Sequence, residues 1–145
     1  MNTLQLVIAA DPESAGRNRP VDIMIDGQRL IDILRRIEAP YTAAEGSPEI
    51  AGQYSSLSIA TTLLPSSHFL HTSHPASDHS EKRALLLCDC GFAGCWDFAC
   101  RITLSENTVT WSDFEQIHRK KWDYSELGKL VFDRKEYEAQ LSQSP

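Results

Sequence analysis

Apolar and polar residues alternate along several short stretches of this chain, and this period-two pattern limits the fold more than any other feature. The stretches lie at residues 3–9, 21–25, 98–104 and 108–111. Successive side chains of a β-strand point to opposite faces of its sheet, so alternation is typical of a strand that buries one face. We therefore predict a strand at each stretch, and we expect the last two strands to form a hairpin across residues 105–107.

Other segments predict strands without alternation. The continuous apolar run at residues 84–88 is typical of a strand that is buried on both faces, and Val131-Phe132 predicts a short final strand. Residues 68–71 predict a brief additional strand. The polar, proline-containing residues 74–82 indicate an exposed loop.

Helical spacing follows the second predicted strand. Leu30, Leu34 and Ile37 recur every three or four residues, which predicts a helix with one apolar face. We expect Pro40 to end this helix, because proline lacks the backbone N–H that a helix interior needs. A hairpin that turns at Asp26-Gly27 is the alternative continuation.

A second helix is predicted near the C-terminus. Asp133 is a good helix N-cap, and Glu136 stands where a capping box requires an acidic residue. Tyr137 and Leu141 then fall on one face. We therefore predict a single α+β domain over residues 1–145, with an antiparallel or mixed sheet of about five or six strands, a helix after the second strand and a C-terminal helix.

The charge balance argues against a nucleic-acid partner. The chain has 14 Lys and Arg residues against 20 Asp and Glu residues, for a net charge of −6. Acidic chains repel phosphate backbones unless basic residues are segregated, and the basic run at residues 119–121 has acidic neighbours. The N-terminal residues lack the cationic region of a signal peptide, and no apolar stretch approaches the roughly 18 residues of a membrane span. We therefore expect a cytoplasmic protein with reduced thiols and no membrane association.

All four cysteines stand in one run with the spacing C-x-C-x4-C-x4-C, from Cys88 to Cys100. In a continued strand Cys88 and Cys90 would point to the same face, and a turn at residues 91–94 could bring Cys95 toward them. Zinc takes tetrahedral sets of thiolates and imidazoles, so Cys88, Cys90 and Cys95 are candidate zinc ligands, completed by Cys100 or a histidine. The spacing is not that of a standard zinc knuckle. We therefore favour buried, reduced thiols that hold no cofactor.

Histidines and catalytic motifs add little to this hypothesis. Four histidines precede the cysteines, at His68, His71, His74 and His79. They could complete a mixed zinc site, and His71 or His118 could act as the base for a cysteine nucleophile. The chain contains no Walker loop, nucleophile elbow, H-E-x-x-H or dinucleotide-binding motif. We therefore assign no catalytic residue.

Aromatic residues are concentrated in the second half of the chain. Most of them are predicted to lie in the core, because each one buries a large apolar area. Trp122 and Tyr124 differ, since they stand within the polar residues 118–128. We expect this pair to be exposed and assign it a partner-binding role, because exposed aromatic residues often dominate binding surfaces.

Three motifs resemble those of a group of small bacterial proteins of unassigned function. They are C-x-C-G-x-x-G-C-W at residues 88–96, V-T-W-x-D-F at residues 109–114 and F-D-R-x-x-Y-E at residues 132–138. The resemblance covers residues 84–141 well and the earlier half loosely. It implies a shared fold and includes the first three cysteines. It does not extend to Cys100 or the histidines, and it implies no catalytic residue.

These observations favour a non-enzymatic binding protein of a bacterial cytoplasm with a protein partner. A concrete version is an immunity-like protein that neutralises a toxin, which the small size, the acidity, the candidate exposed aromatic residues and the missing catalytic motifs support. The alternative is a structural zinc-binding module that uses the cysteine cluster of residues 88–100. A thiol-dependent enzyme is the third option.

Overall fold

The computed structural model describes residues 1–10, 16–71, 82–90 and 94–144, which form eight strands and three helices. The strands are β1 (Leu4–Ile8), β2 (Pro20–Ile25), β3 (Gln28–Arg29), β4 (Tyr54–Ser58), β5 (Arg83–Cys88), β6 (Phe98–Leu104), β7 (Thr108–Gln116) and β8 (Leu130–Asp133). The helices are α1 (Leu30–Ala44), α2 (Ile59–Thr62) and α3 (Arg134–Leu141). The α+β class is confirmed, but the predicted five or six strands are an undercount.

The strands form one antiparallel sheet in the order β1-β2-β4-β5-β6-β7-β8, and β3 pairs with β2. Asn2 bridges to Phe132 of β8: its N–H donates to the carbonyl of Val131 at 2.7 Å, and its side-chain oxygen accepts the N–H of Val131 at 2.9 Å. Because β1 and β8 end the strand order, the sheet curves until its two ends approach each other.

The predicted hairpin is confirmed, whereas β4 was missed. β6 and β7 pair as expected, although β7 runs on to Gln116. β3 has only two residues and follows a tight turn in which Asp26 and Gly27 adopt φ of 51° and 84°. Both continuations proposed at this point therefore occur, a short hairpin and then the helix. β4 contains three serines and buries only Tyr54 and Leu57, so it lacks the alternation that identifies a strand.

Helix α1 does not end at Pro40 as predicted, but continues to Ala44. Packing beyond the proline explains the extension, because Tyr41 stacks on Trp122 with ring centroids 5.8 Å apart and Thr42 is fully buried. These contacts offset the backbone hydrogen bond that proline cannot make. Among the described residues no helix, α1 included, has the length and apolar character that crossing a membrane requires.

The brief strand predicted at residues 68–71 is wrong. His68–Leu70 form one turn of 3-10 helix, in which the N–H of Leu70 donates to the carbonyl of Ser67 at 3.0 Å. This turn inserts Phe69 into the core, where its ring stacks on Trp111. Of the exposed loop predicted at residues 74–82, all but Lys82 lies outside the described residues.

Helix α3 covers the free edge of β1. Asp133 caps the helix as predicted, since its carboxylate accepts the N–H of Glu136 at 3.0 Å. The side chain of Gln140 on the helix accepts the N–H of Leu6 at 2.9 Å, and Gln143, two residues beyond the end of the helix, donates to the Leu6 carbonyl at 2.9 Å. Unpaired edge groups invite pairing with other chains, so these two glutamines protect the edge.

A buried carboxylate joins α1 to the segments around it. Glu38 has no solvent exposure and accepts hydrogen bonds from three donors, the Gly52 N–H at 2.9 Å and the hydroxyls of Tyr54 at 2.6 Å and Tyr124 at 2.5 Å. Burial raises the pKa of Glu38, although the three donors oppose this shift. A carboxylate can be buried at acceptable cost only when it is fully hydrogen-bonded, as Glu38 is. Because the donors come from two other segments of the chain, the network also fixes β4 and the 122–128 segment against α1.

Candidate metal centre

The connection between β5 and β6 brings three thiols together. Cys88 is the last residue of β5, Cys90 follows in the turn, and Cys95 precedes β6. Their Sγ atoms all lie within 4.8 Å of one another. The convergence proposed from the sequence is therefore present.

Strand pairing and one glycine account for this convergence. β5 and β6 run antiparallel with Leu86 opposite Phe98, so the residues just beyond each strand end must lie close together. Gly94 adopts a φ of 83°, which an L-residue rarely accepts, and its N–H donates to Oδ2 of Asp97 at 2.9 Å. The turn is thus held in a shape that returns Cys95 toward Cys88.

Hydrogen bonds order the first two cysteines. The N–H of Cys90 points at Sγ of Cys88, with 3.5 Å between nitrogen and sulfur, and the Cys88 thiol donates to Oδ1 of Asp89 at 3.7 Å. Ser55 of β4 donates to the Cys88 carbonyl at 2.8 Å. These contacts fix the end of β5 and tie the backbone of Cys90 to the sulfur of Cys88.

Two neighbouring thiols suppress the ionisation of Cys95. Hydrogen bonding to Cys88 and Cys90, with smaller contributions from desolvation and like charge, raises the pKa of Cys95 to about 12. Without a cation the Cys95 sulfur is therefore protonated at neutral pH. A bound metal ion would displace this proton, because thiolates rather than thiols are metal ligands.

Trp96, His118 and Arg119 form a wall of aromatic and cationic side chains beside the cluster. The ring of Trp96 stacks on that of His118, with 6.2 Å between centroids, and the guanidinium of Arg119 lies 4.9 Å from the Trp96 ring centroid. Nε2 of His118 contacts the Gly94 carbonyl at 2.9 Å. The segment after β7 therefore contacts the turn that carries Cys95.

The wall is anchored on helix α1. The carboxylate of Glu45, at the C-terminal end of that helix, accepts two hydrogen bonds. One comes from Nε of Arg119 at 3.0 Å and the other from Nε1 of Trp122 at 3.0 Å. Trp122 also meets Trp96 edge to face, with 6.0 Å between centroids. These contacts link the cysteine turn through three aromatic and charged side chains to the helix.

A cleft of about 270 Å³ lies between the cluster and this wall. It is lined by Ile50, Gln53, Cys88, Asp89, Cys95, Trp96 and Arg119. Two of the three clustered cysteines thus face a volume that a small molecule can enter.

Cys100 is separate from the cluster. It lies inside β6, has no solvent exposure, and burial raises its pKa well above the ordinary thiol value. The expectation of buried thiols is therefore correct for Cys100 and wrong for Cys90 and Cys95, which are exposed. Cys88 is half-buried. The sequence pattern could not reveal this difference, because the exposed pair stands in a turn rather than in a strand.

Histidines do not join the cluster within the described part of the chain. His68 packs edge to face on Phe69, and its Nε2 contacts the Ala84 carbonyl at 2.7 Å. His71 is exposed, and the only described group of potential ligands contains cysteines alone. His74 and His79 lie outside the described residues. The base suggested for a cysteine nucleophile, His118, contacts the Gly94 carbonyl instead.

Trp122 and Tyr124 are buried, so the expectation that this pair is exposed is wrong. Trp122 is 8% exposed and Tyr124 is 3% exposed. Two acidic residues hold them: Trp122 donates to Glu45, which caps the C-terminal end of α1, and Tyr124 donates to Glu38 within the helix. The partner-binding role assigned to the pair therefore loses the exposure on which it depended.

Two residues of the site were not singled out from the sequence. Asp97 shapes the turn, and Arg119 covers Trp96. The signal for Asp97 is local, because aspartate and glycine are both common turn residues and an aspartate side chain often bonds nearby backbone groups. Arg119 carries no such signal, since its partner Glu45 is 74 residues away.

Fold and site together define a small α+β protein whose antiparallel sheet carries a three-cysteine cluster at one strand connection. No similar protein narrows this class further. The chain matches no family model, no curated protein and no solved structure.

Proposed function

We propose that the protein is a non-enzymatic metal-binding module in which Cys88, Cys90 and Cys95 hold a zinc ion. The observation that carries the proposal is the convergence of their three Sγ atoms to within 4.8 Å of one another. Sulfur atoms around a tetrahedral zinc lie about 3.8 Å apart, given zinc–sulfur distances near 2.3 Å. The required contraction of at most about 1 Å is within reach of side-chain rotation.

The residue types favour zinc over harder cations. Thiolates select zinc, copper(I) and iron–sulfur clusters, whereas magnesium and calcium require oxygen ligands. A cysteine-only group in the described residues therefore excludes the oxygen-preferring ions as its natural occupants. With three protein ligands, zinc keeps one position for water or another small ligand on the side of the cleft.

The role proposed for the ion is structural. Cys88 terminates β5 and Cys95 leads into β6, so an ion bound to both would join two strand ends across their connection. The same ion would fix Trp96 and the cleft next to it. This role requires reduced thiols, in keeping with the expected cytoplasmic location.

Binding of a protein partner, with toxin neutralisation as its concrete form, remains a second proposal of lower rank. Small size and a net charge of −6 support it. The burial of Trp122 and Tyr124 removes the exposed aromatic pair from its supports, so the metal centre is the better founded of the two proposals.

Cobalt(II) substitution tests the zinc site. We expect the reduced protein to bind one cobalt ion with sulfur-to-metal charge-transfer absorption and intense ligand-field bands, as a tetrahedral thiolate site gives, and zinc to displace it. Replacing Cys95 with Ser should remove one thiolate and weaken the charge-transfer band. Replacing the buried Cys100 with Ala is the matched control and should leave both sets of bands unchanged.

Two results would overturn the proposal. One is a reduced protein that retains less than about a tenth of an equivalent of zinc after incubation and gel filtration. The other is cobalt absorption that survives in the Cys95→Ser protein but disappears in Cys100→Ala.

A further inference from the structure

We infer that the same three thiols form a binding site for trivalent arsenic, with arsenous acid as the simplest ligand. The inference rests on the thiol convergence that also underlies the proposed zinc site, and it specifies a second class of ligand. Trivalent arsenic forms three bonds to sulfur in a pyramid and keeps a lone pair in the remaining direction. It therefore needs three convergent thiols and no fourth ligand.

The number of sulfur atoms fits this ligand. Cys88, Cys90 and Cys95 form the only group of potential metal ligands within the described residues, and the group has three members. Zinc needs a fourth donor to complete its tetrahedron, whereas a pyramidal centre is complete with these three. The lone pair would face the side of the cluster that lacks a ligand in the described structure.

Charge also favours a trivalent centre. Three thiolates around a divalent ion leave a net charge of −1, whereas three thiolates around a trivalent centre leave none. Asp89 lies next to the cluster, with its Oδ1 3.7 Å from Sγ of Cys88, and the whole chain carries a net charge of −6. A neutral product adds no further repulsion beside this carboxylate.

The thiols are accessible to such a ligand. Cys90 and Cys95 are exposed, and Cys88 and Cys95 line the cleft of about 270 Å³. Arsenous acid is small and uncharged at neutral pH, so neither the acidity of the protein nor the size of the cleft excludes it. The fourth thiol, Cys100, is fully buried and cannot compete for the ligand.

The bond changes balance without an oxidant. Each of the three As–O bonds of arsenous acid breaks as one As–S bond forms. The proton of each thiol leaves with the departing hydroxide, so three molecules of water are released. Arsenic stays trivalent and no sulfur is oxidised.

The test compares two arsenicals that differ in the number of bonds they can form. Arsenous acid can bind three thiols, and methylarsonous acid, with one oxygen replaced by carbon, can bind two. Reduced, metal-free protein is titrated with each compound and followed by native mass spectrometry and by counting reactive thiols. With arsenous acid we expect one arsenic per chain and the loss of all three clustered thiols.

Single substitutions of Cys88, Cys90 and Cys95 to Ser give the decisive measurement. Each should weaken arsenous acid binding by about 100-fold or more, because the third bond is intramolecular. Each should change methylarsonous acid binding by less than about tenfold, because two thiols remain for it. The Cys100→Ala protein should bind both compounds as the wild type does, and a misfolded serine variant would reveal itself by losing both ligands.

The inference fails if arsenous acid consumes only two thiols, or if one of the three serine variants binds it as tightly as the wild type. Cobalt and zinc binding is measured separately on the same proteins. If the protein binds zinc but arsenous acid consumes only two thiols, the arsenic inference is overturned and the zinc proposal stands. Three-thiol arsenic binding without zinc or cobalt binding would overturn the proposed zinc module alone.

Discussion

The backbone N–H of Gly94 donates to Oδ2 of Asp97 at 2.9 Å, and this bond closes the turn that carries Cys95. Gly94 supplies the left-handed backbone, with a φ of 83°, and Asp97 supplies the acceptor. Neither residue belongs to the cysteine cluster, yet together they set the direction in which Cys95 leaves the turn.

Replacing Asp97 with Ala should therefore weaken metal binding without removing a ligand. We expect a loss of about 10- to 100-fold in zinc affinity, which is typical when a residue that orients a ligand is removed. Asp97→Asn is the control, because its amide oxygen can still accept the Gly94 N–H, and it should stay much closer to the wild type. Competition with a chelator measures both affinities, and equal affinities for the Ala and Asn proteins would contradict the assigned role.

The buried carboxylate of Glu38 should make stability depend on pH. Its ordinary pKa is 4.5, and burial raises the pKa in the folded protein. Between these two values the folded state holds a proton that the unfolded chain has released, so the free energy of unfolding falls as pH rises through this interval. Above the folded pKa the dependence on Glu38 ends.

Glu38→Gln should abolish this part of the pH dependence. Urea unfolding at a series of pH values from 4 upward should show the wild type losing stability relative to the variant as pH rises. Glu126→Gln removes a charge from an exposed carboxylate and controls for the change in net charge. Parallel curves for the wild type and Glu38→Gln would show that Glu38 has no raised pKa.

Two glycines with similar backbone angles should respond very differently to substitution by alanine. Gly46 has a φ of 79° with no atom within 4 Å of an added Cβ, so Gly46→Ala should cost only the left-handed strain of about 1–2 kcal/mol. At Gly52, with a φ of 65°, the added Cβ would lie 2.7 Å from Cβ and 2.9 Å from Cα of Arg35.

Gly52→Ala should therefore destabilise the protein by about 1–3 kcal/mol more than Gly46→Ala, because α1 cannot move away without disturbing its packing. Such a shift would also stretch the bond from the Gly52 N–H to Glu38. Urea unfolding of the two variants measures the difference. Equal losses of stability would show that α1 can shift away from the added Cβ at Arg35 without cost.

The sequence predicted the elements that depend on local patterns. Alternation identified β1, β2, β6 and the first part of β7, and the capping residue Asp133 located α3. Local signals failed where distant contacts decide the outcome. Helix α1 passes Pro40 because Tyr41 stacks on Trp122, a residue far along the chain.

The predictions for the site divide in the same way, between local patterns and distant contacts. The chain spacing and the turn at Gly94 were sufficient to suggest that three sulfurs converge, because all the residues involved lie within one strand connection. Exposure of Trp122 and Tyr124 was predicted wrongly from their polar neighbours. The acidic residues that bury them, Glu45 and Glu38, precede them by 77 and 86 positions, and no local pattern contains that information.

The burial of Trp122 leads to a stability prediction. Trp122→Ala should lower the free energy of unfolding by about 3–5 kcal/mol, because it removes a large core side chain together with its hydrogen bond to Glu45. The adjacent Lys121 is exposed, and Lys121→Ala should change stability by no more than about 0.5 kcal/mol. Urea unfolding of both proteins separates the two cases. A Trp122→Ala protein as stable as Lys121→Ala would mean that the ring is not part of the core.

Zinc should stabilise the folded protein only while the three-cysteine cluster is intact. An ion that binds the folded state alone adds about 2.7 kcal/mol to the free energy of unfolding at one hundred times its dissociation constant. We expect this increment in the wild type and its loss in Cys95→Ser. Cys100→Ala should start from a lower stability, because Cys100 is fully buried, and should still gain the increment. The comparison separates the metal ligand from the core thiol, because each substitution removes one sulfur but only one of them lies in the cluster. An increment that disappears in Cys100→Ala and persists in Cys95→Ser would place the stabilising ion elsewhere in the protein.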